Sequence, residues 1–312
     1  MTLSTAPSDA LSDRAAIGGT RYETLVAYLV LTKPRIMSLL LFTTLASVLI
    51  AVREHPLPVE DLLRILAATL VGGALASGGA AVLNCYIDRD IDDVMARTKR
   101  RAIPAGLLTP RQVVTFGLTL SVLSIAVLAL FTTPLAAALA LVGNLFYVGV
   151  YTAWLKRRTT QNIVIGGVAG AIPPLVGWAA VTGSVALPAL LLFVIVTYWT
   201  PAHFWSLALL VRSEYSRAGV PMLPSVTNHE HASWQILVYT LLVVIASLLL
   251  YTVHAMGVLY LACACLLGAG FVRYALTLRV VRTARLARQT FMYSNFYLAA
   301  LFGAMILDRL VR

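Results

Sequence analysis

The chain has 312 residues, 60% hydrophobic and only 12% charged, with a formal net charge of +11. Soluble domains run near ~25% charged, so the composition excludes an ordinary soluble globule and reads as an integral membrane protein. Segments of short alternating hydrophobicity, the mark of a β-barrel, do not appear.

Residues 1–30 are polar and contain Asp9, Asp13 and Glu23, with no basic stretch followed by an apolar core. That pattern fits neither a secretory signal nor an organelle transit peptide, and it reads as a mobile cytoplasmic tail. Residues 31–312 then form a single transmembrane domain. Nine apolar runs, roughly 36–52, 62–83, 112–131, 134–151, 162–181, 188–210, 233–253, 256–275 and 290–308, are near the length that crosses a bilayer as helix. The predicted fold is therefore all-α, a polytopic bundle of about nine helices around a central cavity opening to the cytoplasmic face.

Sorted by alternate sides, all of the 24 Lys and Arg except Arg53, Arg64, Arg309 and Arg312 fall on the side of the N-terminus. They include Arg273, Arg279, Arg282, Arg285 and Arg288 in the connection between the last two spans. The positive-inside rule places that side in the cytoplasm, and the character of residues 1–30 leads to the expectation of a bacterial inner membrane. The basic balance thus reports topology and an anionic substrate, not a nucleic acid.

The second span ends in Asn84-Cys85-Tyr86-Ile87-Asp88-Arg89-Asp90-Ile91-Asp92. On a helix, Asn84, Asp88 and Asp92 drift only ~80° around the axis while rising ~12 Å, so they form one stripe. Acidic groups at membrane depth cost ~2.5–3.5 kcal/mol each at a helix centre and usually mark function. Oxygen ligands without His or Cys suit Mg²⁺, which commonly holds substrate phosphates. Asp90 and Asp93 fall off the stripe, toward solvent or a neighbouring Arg. Arg97, Lys99 and Arg101 follow within a few residues, a cationic cluster suited to the oxygens of a metal-bound diphosphate. The bland alternative is a solvated loop in which acids and bases pair together.

Further along, Tyr147 and Tyr151 lie one turn apart. They serve equally as an aromatic face for a passing cation or as interface anchors. Lys156, Arg157 and Arg158 are phosphate partners or topology charges, and Gln161 and Asn162 open the next span needing polar partners. Gly72-Gly73, Gly78-Gly79, Gly166-Gly167 and Gly170 read as close helix packing, and Pro173-Pro174 as a kink or break in the fifth span. His203 sits about two turns inside the sixth span, where a lone histidine is more often a hydrogen-bonded packing residue than a ligand. After that span come Arg212, Ser213, Glu214, Tyr215 and Arg217, with Glu214 a further candidate metal oxygen or an ordinary surface ion pair.

The Asn84-x-x-x-Asp88-x-x-x-Asp92 stripe on nine spans resembles the intramembrane UbiA-type prenyltransferases. The runs Leu31-Thr-Lys-Pro-Arg-Ile-Met37, Tyr151-Thr-x-Trp-Leu-Lys-Arg157 and Pro173-Pro-Leu-Val-Gly-Trp178 extend the resemblance, and Gln161-Asn-Ile-Val-Ile-Gly-Gly167, His203-Phe-Trp205 and Ala218-Gly-Val-Pro-Met-Leu-Pro224 narrow it to the heme-directed branch. Two departures stand out: Glu214 occupies a place where relatives often carry Asp, and Ser213 a place where they often carry a second acid. The second acidic motif is accordingly thin.

The resemblance implies transfer of a farnesyl group from farnesyl diphosphate to a vinyl group of heme b. Asn84, Asp88 and Asp92 would hold Mg²⁺, with Arg97 and Arg101 beside them as catalytic cations. Lys33, Arg35, Lys99, Tyr147, Tyr151, Lys156, Gln161, Asn162, His203, Arg212, Glu214, Tyr215 and Arg217 would bind substrate, with Lys33, Arg35, Lys156 and Arg212 suited to the propionates. His203 is expected as a heme contact and not as an axial ligand. The resemblance also implies a partner downstream, a heme A synthase or a terminal oxidase assembly. An aromatic quinone precursor is the alternative acceptor, disfavoured by the thin Ser213-Glu214 motif. A transporter is disfavoured because the charges gather at one face, away from the midplane.

Overall fold

The computed structural model describes residues 21–311. Helices α1 (Arg21–Leu31), α2 (Pro34–Glu54), α3 (Val59–Ile87), α4 (Arg89–Val94), α5 (Pro110–Phe131) and α6 (Pro134–Leu145) come first. The chain continues from α6 as a π-helix over Phe146–Trp154 and a 3₁₀ turn over Leu155–Arg157. Then come α7 (Asn162–Thr182), α8 (Leu187–Leu210), α9 (Arg212–Arg217), α10 (Leu223–Val226), α11 (His229–Thr252), α12 (Val258–Val281) and α13 (Ala284–Val311). Nine of these segments are long and apolar enough to cross a membrane, and they match the nine predicted runs one for one.

Local chemistry sets the helix starts. Pro at the first or second helical position opens α2, α5, α6 and α8, where its missing N–H would be unsatisfied anyway. Thr109 closes a capping box with Gln112, and the side chains of Thr133 and Asn228 each accept from a backbone N–H three residues on.

Each span packs on the next in sequence, and α13 closes on α2, so the nine form a ring. Extensive contact of α7 with α2, and of α8 with α13, fills part of its interior. Polar threads tie the ring: Ser47 Oγ donates to the Pro174 carbonyl at 2.6 Å, and Trp199 Nε1 donates to the Ser294 carbonyl at 2.7 Å. At the end opposite the basic loops, Arg309 bonds Glu54 at 2.6 Å, joining α13 to α2. The outer faces carry exposed Leu118, Val122, Leu130 and Leu266, the apolar skin a lipid surface requires.

The glycines act where helices approach closely. A Cβ on Gly79 would stand 2.8 Å from the Gly117 carbonyl of α5, and one on Gly177 would stand 2.6 Å from the Thr44 carbonyl of α2. Small residues are what permit that approach when apolar burial offers no driving force.

Three expectations change. The tail assigned to 1–30 gives way at Arg21 to α1; the remainder, 1–20, lies outside the described residues. Of the kink or break expected at Pro173-Pro174, the break does not occur, since α7 runs continuously from Asn162 to Thr182; membrane helices tolerate Pro where neighbours support the backbone. The basic connection before the last span is much shorter than expected. Arg273 and Arg279 lie within α12, Arg285 and Arg288 within α13, and Arg282 alone of the five is in the turn, in a left-handed conformation at φ 52.

Candidate active site

The α3 helix ends at Ile87, and Asp88 is the joint to α4, with φ −84 and ψ 5. The stripe is therefore not one continuous helix, as its spacing implied. Its register survives, because the Asp88 N–H reaches the Asn84 carbonyl at 2.9 Å and the Asp92 N–H reaches the Asp88 carbonyl at 2.8 Å. Asn84, Asp88 and Asp92 are all buried, Asp88 completely.

Every member of the stripe meets its own cation. Lys33 Nζ donates to Asn84 Oδ1 at 2.7 Å, and Lys156 Nζ donates to Asp88 Oδ2 at 2.5 Å. Arg101 reaches both oxygens of Asp92, at 2.8 and 2.7 Å, through one nitrogen. The Asn84 amide also donates to Asp88 Oδ2 at 2.7 Å and to Thr152 Oγ1 at 3.1 Å. Buried charges need such pairing, since an isolated one carries a desolvation cost of several kcal/mol. Lys33 reaches the site from a left-handed backbone, φ 54 and ψ 57, and burial pushes its ammonium below the ordinary lysine range. Arg157 forks onto Asp90, with both contacts at 2.6 Å; these bonds hold the Asp90 carboxyl down at about 2.

One acceptor in this set has no partner. Among the described residues Asp88 Oδ1 is buried without a hydrogen bond, and Arg157 Nη2 stands 3.9 Å from it. A buried carboxylate oxygen left open beside further oxygen donors is what a shared Mg²⁺ would use. Among the described residues no three His, Cys, Asp or Glu side chains converge to hold a metal unaided. The set therefore fits an ion that draws the rest of its shell from a substrate. That is the usual arrangement for Mg²⁺, held by one or two carboxylates plus phosphate oxygens.

The π-helix accounts for Thr152, which the sequence reading missed. The Thr152 hydroxyl donates to the Tyr147 carbonyl five residues back, at 2.8 Å, and receives Asn84. An ordinary helical register would have turned it away from α3, and π turns inside α-helices frequently mark functional sites. Tyr147 and Tyr151 still neighbour each other, ring centroids 5.4 Å apart. The Tyr151 ring lies so close to Gly166 that a Cβ there would overlap it. Tyr215 of α9 is buried in the same cluster as Tyr151, Ile91 and Met95. Burial pushes its phenol up, while a hydrogen bond and charge from Arg97 act the other way. The neighbouring Glu214 buries Oε2 without a partner among the described residues. Asn162 is buried and bonds the Thr159 carbonyl at 2.7 Å.

Other predicted residues stand apart. Arg35, Lys99 and Gln161 are exposed. Arg212 is exposed and bonds the Thr227 carbonyl at 2.9 Å. Arg217 lines a shallow cavity of about 280 Å³ with Asp90, Ile91, Val94, Arg157 and the Ala218–Val220 turn. That cavity flanks the stripe; none of Asn84, Asp88 or Asp92 lines it. His203 is half-buried, its Nδ1 2.8 Å from Ser294 Oγ and its ring stacked on Trp199 at 4.3 Å.

The model of the UbiA prenyltransferase family matches residues 40–300. The chain belongs to the UbiA prenyltransferase family. Several curated relatives named protoheme IX farnesyltransferase align along nine-tenths of the chain. The protoheme IX farnesyltransferase of Gloeobacter violaceus is 52% identical over 90% of this chain and 91% of its own. That of Synechocystis sp. is 51% identical over 91% and 89%. The Chloroflexus aurantiacus protein of the same name is 52% identical over 93% of this chain, which spans only 49% of that longer one. Among solved structures, a digeranylgeranylglyceryl phosphate synthase covers 93% of this prenyltransferase and 100% of its own chain, with TM-score 0.75 at 18% identity. A UbiA homologue from Archaeoglobus fulgidus, solved with DMAPP and Mg²⁺, covers 89% and 98% with TM-score 0.64 at 15% identity. At such identities the likeness shows the shared fold.

Proposed function

We propose that the chain transfers the farnesyl group of farnesyl diphosphate to a vinyl group of heme b, giving heme O, at the cytoplasmic face of a bacterial inner membrane. The observation that carries this reading is the pairing of each stripe residue with a separate cation, beside the open Asp88 Oδ1. The choice of heme as acceptor rests on the likeness to protoheme IX farnesyltransferases along nine-tenths of the chain.

Asn84, Asp88 and Asp92 are the residues that would hold Mg²⁺. A bound Mg²⁺ supplies neutralisation of the departing diphosphate. Lys33, Lys156 and Arg101 change partners as the anion arrives, turning from the stripe to phosphate oxygens. Charge-assisted bonds to phosphate are roughly twice as strong as neutral ones. They favour the transition state most, because negative charge grows on the leaving group as the bond between C1 and oxygen breaks.

The allylic cation so formed is attacked by the terminal vinyl carbon, making the new carbon–carbon bond. Positive charge then rests on the carbon attached to the porphyrin. Water adds there and loses a proton, leaving a hydroxyl. The Tyr147 and Tyr151 rings, fixed beside Thr152, offer faces that stabilise a nearby cation by ~0.5–2 kcal/mol. The buried apolar wall around Tyr151, Ile163 and Trp205 keeps water from capturing the cation early.

The test is direct. The purified protein in nanodiscs, given heme b, farnesyl diphosphate and Mg²⁺, should yield a heme heavier by one farnesyl group plus one hydroxyl group. Unchanged heme with a prenylated phenolic acid, when one is offered, overturns the acceptor assignment.

A further inference from the structure

His203 is a histidine inside the bundle with one nitrogen hydrogen-bonded and the other without a partner among the described residues. Ser294 Oγ donates to the Phe291 carbonyl at 2.7 Å, so it can only accept from His203, whose Nδ1 lies 2.8 Å away. The proton is thereby placed on Nδ1, and Nε2 carries a lone pair with no partner among the described residues. Stacking on Trp199 at 4.3 Å and 19°, and contact with Phe291 at 4.7 Å, hold the ring plane.

The direction of the ring follows from α8. Thr200 faces α7, where a Cβ on Gly167 would meet it at 3.0 Å, and Trp199 faces Ser294 of α13. At about 100° per residue, His203 points between these two directions, roughly 60° from Thr200 and 40° from Trp199. Helix α2 packs on both α7 and α13, so this wedge opens into the ring. The exposed Leu190 lies about 140° away on the same helix. Partial exposure of His203 is therefore exposure to the interior. It stands about 10 Å below the end of α8 at Leu210, deeper than the diphosphate stripe.

We propose that Nε2 of His203 is an axial ligand to the iron of the porphyrin acceptor. A neutral imidazole whose second nitrogen donates to a fixed acceptor is the usual form of a metal-binding histidine, the hydrogen bond setting both tautomer and orientation. Ligation anchors the macrocycle by its centre, leaving its edge free to carry a vinyl group toward the stripe. Ser294 acts as the positioning residue. This inference rests on the reading that the acceptor is a heme.

The experiment uses the full chain in nanodiscs, titrated with ferric heme b and followed by optical absorption and electron paramagnetic resonance. Wild type should show a histidine-ligated spectrum. His203→Gly should lose that spectrum, and added imidazole should restore it, which also shows that the variant is folded. Ser294→Ala should weaken heme binding by ~10-fold or more while keeping histidine ligation. A His203→Gly variant that binds heme with the wild-type spectrum overturns the proposal, even if wild type makes heme O. Wild type that neither binds heme nor makes heme O overturns the acceptor reading and this inference together.

Discussion

Lys33 Nζ lies 2.7 Å from Asn84 Oδ1, bridging 51 positions of sequence. The contact joins the start of the first membrane helix to the end of the second. A lysine that leaves an amide for a phosphate loses little, since a neutral acceptor is exchanged for a charged one. Lys33→Met should raise KM for farnesyl diphosphate by ~10-fold or more, as loss of a hydrogen bond involving a charged group costs ~1.5–3 kcal/mol. Steady-state kinetics at saturating heme check it; an unchanged KM would separate Lys33 from the diphosphate.

Lys156 and Asp88 form the most buried ion pair of the site, their side chains 13% and 1% exposed. Removing one partner of a buried pair strands the other and costs ~3–5 kcal/mol. Lys156→Met should therefore lower thermal stability in detergent markedly, and the double variant with Asp88→Asn should recover much of the loss while remaining inactive. Equal melting temperatures for the single and double variants would contradict the coupling.

Thr152 carries the structural link between the π-helix and the stripe. Thr152→Val keeps the shape but leaves the Asn84 amide without that acceptor, so kcat should fall about tenfold with little change in melting temperature, a loss near ~1.4 kcal/mol. Wild-type kcat would show that Thr152 is packing alone.

Gly166 tests the aromatic wall. Gly166→Ala drives a methyl into the Tyr151 ring, and overpacking of this kind costs ~1–3 kcal/mol. Both stability and turnover should drop, and Tyr151→Leu in the same chain should restore stability without restoring turnover. Full stability of the single variant would mean the ring moves freely.

The spans were legible because length and hydropathy dictate them, and the stripe because spacing of four survives a change of helix. The joint at Asp88 was not legible: the i to i+4 bonds continue through it, and nothing in the composition marks a ψ near zero. Thr152 was hidden for a related reason. Its approach to Asn84 depends on a π turn that shifts register by one residue, and no residue type announces that. The loop cations divided in a way the sequence could not foresee. Arg101 reaches Asp92 from nine residues away, whereas Lys99, two positions before it, faces solvent. Chain distance alone does not say which side of a turn a cation takes.

The most direct test of the account compares wild type with Asp88→Asn at equal amounts in the same membranes, supplied with heme b, farnesyl diphosphate, Mg²⁺ and a phenolic acid. Products are read by mass. Wild type should accumulate farnesyl hydroxyethyl heme and leave the phenolic acid untouched, while Asp88→Asn inserts normally and makes neither product. Turnover by Asp88→Asn at the wild-type rate, or a prenylated phenolic acid in place of the modified heme, would contradict it.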